Sequence, residues 1–82
     1  MTPIYTKHAL SRMESRQILV DWVERVLEEP DLIDPDPVDS SLEHRLGIVP
    51  ELANRVLRVI VSIEDPKRVI SMYLDRNMKG QL

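Results

Sequence analysis

The sequence predicts an α+β domain: two N-terminal helices packed on one face of an antiparallel sheet of three or four strands, in the order (β)ααβββ. Three observations carry this reading. Apolar residues recur at helical spacing through residues 7–16 and again through 19–28. A stretch rich in proline and aspartate, residues 30–41, then breaks the pattern. Beyond it the apolar period changes from 3.6 to 2. Two amphipathic helices need an apolar sheet face to cover, and strands of that period supply one.

Ile4 and Tyr5 suit a short edge strand, and Thr6 suits the N-cap of the first helix. Ala9, Leu10 and Met13 share one side of that helix; His8, Arg12 and Ser15 share the other, with Arg16 at the border. Leu19, Trp22, Val23, Val26 and Leu27 make a broader stripe on the second helix, with Trp22 as its largest core candidate. Pro30 stops that helix, because the residue before a proline is pushed out of the helical region. Residues 30–41 read as a stiff acidic loop, with three prolines and four aspartates. Residues 42–49 alternate with Leu46 and Ile48 toward the core. Residues 55–63 form the strongest strand, with Leu57, Val59, Val61 and Ile63 on one face. Asp65-Pro66-Lys67 makes a turn, and residues 68–75 return with Ile70, Met72 and Leu74 on the core side. Residues 77–82 read as a frayed tail. The whole, 1–82, is a single domain.

Composition narrows the function classes. Without cysteine there is no disulfide framework and no thiolate metal site, which fits a reducing compartment. No apolar run has the length of a signal peptide or a membrane span, so a cytoplasmic protein with no membrane partner is expected. The net charge of −3 argues against a general nucleic-acid binder. The charge is uneven, however. Seven of the fourteen acids lie between Glu28 and Glu43, a window with no lysine or arginine. The rest of the chain carries seven acids and eleven bases, a local excess of positive charge. The acidic window is read as a solvated loop, or as a surface for a basic partner.

The signatures of common enzymes are missing. With glycine only at 47 and 80 there is no phosphate-binding glycine loop. His8 and His44 are the only histidines, too few for a metal site unless the loop aspartates complete it. No metal or cofactor is expected. Two constellations remain. His8, Arg12 and Arg16 recur every four residues along the first helix. An imidazole with two guanidiniums could take a proton from an RNA 2′-hydroxyl and neutralise the phosphate. They could equally be a solvated helix side paired to Glu14, Asp21 or Glu24. On the sheet face away from the helices, Arg45, Arg58 and Tyr73 could hold phosphate and stack on a base. They could also be ordinary cross-strand packing, and Val56, Ile60 and Val69 on that face could form a protein interface.

Residues 5–18, Tyr-Thr-Lys-His-Ala-Leu-Ser-Arg-Met-Glu-Ser-Arg-Gln-Ile, resemble the opening motif of the family known as domain of unknown function 4258. The shared signature is His-Ala, then arginines four and eight residues after the histidine. The amphipathic segment ending at Pro30-Asp31 and the hairpin rich in Val, Arg and Tyr, residues 55–61 and 72–76, extend the likeness over most of the chain. The family is similar, at the level of fold, to RelE/ParE-like toxins of bacterial toxin–antitoxin pairs. What this implies is a toxin-like domain, either a metal-independent endoribonuclease acting on mRNA or a translation inhibitor, with an antitoxin protein and RNA as partners. His8, Arg58 and Tyr73 would be its catalytic candidates. Arg12, Arg16, Arg45 and Arg76 would contact nucleic acid. Arg58 on an open face would tolerate truncation with little loss of stability. The alternative is a non-catalytic protein-interaction module that uses an open strand edge and the free sheet face. Oligomeric state does not follow from these residues.

Overall fold

A computed structural model describes residues 3–82; positions 1 and 2 of the expected 1–82 domain lie outside the described residues. The chain forms β1 (Ile4–Tyr5), α1 (Lys7–Arg16), α2 (Val20–Glu28), β2 (Leu32–Pro35), β3 (Leu42–Val49), β4 (Arg55–Ser62) and β5 (Arg68–Leu74). Single 3₁₀ turns follow β3 at Pro50–Leu52 and β5 at Arg76–Met78. The α+β class and the helix pair stand as expected. The sheet differs: it has five strands in the order β1-β5-β4-β3-β2, and it is mixed, because β1 runs parallel to β5. The radius of gyration, 11.7 Å, is that of one compact body of this length. Among the described residues, no helix is long and apolar enough to cross a membrane.

The fifth strand comes from the segment read as a loop. Leu32–Pro35 pairs antiparallel with β3, Ile33 opposite Arg45 and Asp34 opposite His44. Proline can end a strand at a sheet edge, where its missing N–H is not needed by a second neighbour. The acidic residues after it build the turn back. Asp36 Oδ2 accepts from the N–H groups of Val38 and Asp39, and Asp39 Oδ1 accepts from the N–H and hydroxyl of Ser41. At the other end of the chain, the segment expected to fray begins in the Arg76–Met78 turn, where Asp75 Oδ1 accepts from the Asn77 N–H.

Thr6 does two jobs at the start of α1. Its Oγ1 accepts from the Ala9 N–H and donates to the Ile70 carbonyl, so the cap also ties the helix to β5. The core lies between the helices and one sheet face. Ala9, Met13, Ile18, Val23, Val26 and Leu27 meet Val49, Leu57, Val59, Val61, Val69 and Met72. Trp22 packs only half-buried at its margin. The Tyr5 hydroxyl is buried with no partner, and burial, with Glu24 nearby, raises its pKa.

Two faces differ from the sequence reading. In β3 the residues opposite Leu57 and Val59 are Gly47 and Arg45, so Leu46 and Ile48 face away from the helices. In β5 a bulge puts Val69 opposite Val61 while Ser71 stands opposite Ile60. Val69, not Ile70, therefore enters the core.

Candidate functional site

The sheet edge next to β5 is only partly covered. β1 pairs with the first two residues of β5, and beyond it α1 lies against the strand. Between α1, the end of β5 and the start of β4 a cleft of about 310 Å³ opens, lined by Arg12, Arg16, Ile18, Arg55, Tyr73, Leu74 and Arg76. Ile18 and Leu74 supply its apolar lining. Arg12 and Arg16 come from successive turns of α1, Arg55 from the first residue of β4, and Arg76 from the turn that Asp75 caps.

The charge of the cleft is one-sided. Four guanidiniums line it and no carboxylate does. Among the described residues, none of the four has a side-chain hydrogen bond or an ion pair, whereas Arg25, Arg45 and Arg58 each have a carboxylate. Arginine cannot shed its charge, so these cations repel one another unless an anion stands among them. The phenol of Tyr73, 42% exposed, offers a ring beside them.

The sequence-derived site residues fall into two groups. Arg12, Arg16, Arg76 and Tyr73 are brought together in the cleft. Arg55 joins them although the sequence did not single it out; its position as the first residue of the strongest strand, beside a turn, was the available signal. The others lie elsewhere. Arg45, expected beside Arg58 and Tyr73, is on the helix side of the sheet. There its Nε donates to Glu43 at 2.6 Å and its NH1 to the Leu27 carbonyl at 2.5 Å, which caps the last turn of α2. His8 lies outside the cleft lining, with Nε2 3.2 Å from the Ser71 hydroxyl. Arg58 lies over Tyr73, 6.0 Å from the ring centroid, and is held by Asp75, with both Nε and NH2 at 2.9 Å from Oδ2.

Arg58 also donates from NH1 to His44 Nδ1 at 2.8 Å. That fixes the tautomer: Nε2 carries the hydrogen and donates to Asp36 Oδ1 at 2.6 Å. The result is a continuous row, Asp36–His44–Arg58–Asp75, across the sheet face opposite the helices, and His44 within it is buried. Bonds from the Asp39 N–H, the His44 ring and the Val38 N–H hold the Asp36 pKa at about 2. His44 is engaged at both nitrogens, which leaves it no free nitrogen for acid–base work on a ligand. No group of three or more His, Asp or Glu among the described residues is arranged to hold a metal ion.

An α+β domain with an arginine-lined cleft at one sheet edge is the class that this fold and site define. Over residues 5–73 the chain matches the family described as Domain of unknown function (DUF4258), and it belongs to that family. No curated protein and no solved structure matches it.

Proposed function

We propose that the domain binds single-stranded RNA in the arginine cleft and acts as a RelE/ParE-like toxin that blocks translation. The observation that carries this is the convergence of Arg12, Arg16, Arg55 and Arg76, all without side-chain partners among the described residues, around one cleft that also offers a tyrosine ring. Guanidiniums hold phosphate oxygens through paired N–H donors. An aromatic ring beside them stacks on an unpaired base, and every base has a π-face to offer. Binding, rather than cleavage, is the activity the lining supports. The cleft contributes cations and a phenol, and the imidazoles of His8 and His44 are outside it. The open sheet face supports a protein-interaction role less well, because Leu46 and Val56 on that face are already buried.

The test is tightly controlled expression in a bacterial host, with growth and RNA integrity followed over the first minutes. Wild-type protein is expected to arrest growth, and the Arg55→Ala/Arg76→Ala variant to leave growth unchanged while melting at the wild-type temperature. Arrest with intact RNA marks a protein that holds its target; fresh fragments would add cleavage to the reading. Unchanged growth with soluble, folded wild-type protein would overturn it.

A further inference from the structure

We infer that the cleft takes a nucleotide with clustered phosphate charge, as at the phosphorylated end of an RNA strand, rather than the interior of a strand. This rests on the reading of the cleft as an RNA site and narrows it. The first ground is charge per volume. A cavity of about 310 Å³ is at the small end of ligand pockets and accommodates about one nucleotide. An internal nucleotide, with the phosphodiester on each side of it, brings about two negative charges to four guanidiniums. A terminal phosphomonoester carries about −1.5 to −2 at neutral pH, and the adjoining phosphodiester adds one more. The terminal ligand, at about −2.5 to −3, comes nearer to balancing the site than the internal one.

The second ground is what borders the cleft. A strand that passed through would need further cations to track it, as grooves for single strands provide. Next to Tyr73 on the same face stands Arg58, already neutralised by Asp75, and beyond it His44 and Asp36. A backbone continuing across that face would meet two carboxylates against a single guanidinium, a row with no positive charge to spare. The row beside the cleft offers no unpaired cation to carry a strand onward, since its one guanidinium is held by Asp75 and His44, and a chain end fits a site of that kind. Tyr73 then distinguishes a nucleotide from a bare phosphate, because its ring stacks on the terminal base.

The experiment measures fluorescence anisotropy of labelled tetranucleotide RNAs that differ only at their ends: hydroxyl at both, 5′-phosphate, or 3′-phosphate. A free nucleoside triphosphate serves as competitor. At least one phosphorylated RNA is expected to bind tenfold or more tighter than the hydroxyl form, with the preference lost in Arg55→Ala and in Arg12→Ala/Arg16→Ala. If all three RNAs bind within twofold of one another and binding is lost in those variants, the inference falls and the RNA reading stands. If the free triphosphate binds through the same arginines and RNA adds nothing, the clustered-phosphate inference stands with a free nucleotide as its source, and the RNA reading falls. If neither RNA nor triphosphate binds the folded protein, both fall.

Discussion

Arg58 and Arg55 share a strand and a side-chain type, yet the structure gives them opposite work. Arg58 is the hub of the polar row: Asp75 on one side, His44 on the other, with Arg58 and Asp75 side chains 14% and 11% exposed. Truncating it leaves a nearly buried carboxylate without its cation and His44 Nδ1 without its donor. Arg58→Ala is therefore expected to cost about 3 kcal/mol, the lower end for breaking a buried pair. For a domain of this size that is a fall in Tm of roughly 10 °C or more. This departs from the expectation that an arginine on an open face can be removed freely. Among the described residues Arg55 has no side-chain partner to abandon, so Arg55→Ala should stay within about 0.5 kcal/mol of wild type while RNA affinity drops. Thermal melts of the two variants, read beside their binding curves, check the contrast. An equally stable Arg58→Ala would mean that the row contributes nothing.

At the scale of elements, the helices were legible because the stripes of residues 7–28 have one period and few polar interruptions. The strands were legible as strands but not in their facing. In β3 the bulky apolar residues, Leu46 and Ile48, suggested the core side, whereas that side carries Gly47. α2 comes so close that a Cβ on Gly47 would lie 2.9 Å from Val26 Cγ2. Only glycine fits, and a glycine gives no hydrophobic signal to a pattern of alternation. Arg45 followed Gly47 onto the helix side for the same reason. The bulge in β5 left no trace in the sequence either, since it exchanges Ile70 for Val69, one β-branched residue for another. Gly47→Ala is accordingly expected to destabilise by about 1–3 kcal/mol through overpacking. Val26→Ala should recover part of that loss in the double variant, and a double-mutant cycle by denaturant unfolding measures it. The β2–β3 hairpin carries an acid-sensitive closure. Asp36 has a folded pKa of about 2, below the unfolded value near 3.9. Its contribution is fully present above the unfolded value and is lost as pH falls from there through about 2. Asp36→Asn should flatten this part of the acid-unfolding curve, and an unchanged slope between about pH 4 and 2 would remove Asp36 as its source.

For the whole molecule, the uneven charge seen in the sequence becomes an arrangement in space. Sheet order puts β5, with the arginine cleft, near one edge, and the β2–β3 hairpin, with Asp34, Asp36, Asp39 and Glu43, at the other. Three of the four cleft arginines were legible as candidates, two from the helical spacing of Arg12 and Arg16 and one from the end of the last strand. Their convergence was not, because it depends on how far β1 covers β5. Nor could the sequence tell which arginines had partners. From β5 to β2 is three strand spacings, about 14 Å, against a Debye length of about 8 Å at physiological salt. The acidic hairpin is therefore largely screened from the cleft, and an anion approaching the cleft meets its four positive charges rather than the net charge of −3. Binding should then follow counterion release. With each phosphate charge on a single strand contributing about −0.7 to the slope of log K against log salt, two or three neutralised charges give a slope of about −1.4 to −2.1. Arg55→Ala should make the slope shallower by about 0.7, whereas Asp34→Asn/Asp39→Asn should leave it unchanged and alter affinity less than twofold at physiological salt. Anisotropy titrations from about 50 to 200 mM salt separate these cases. A slope that responds to the hairpin variant and not to Arg55→Ala would move the anion site away from the cleft.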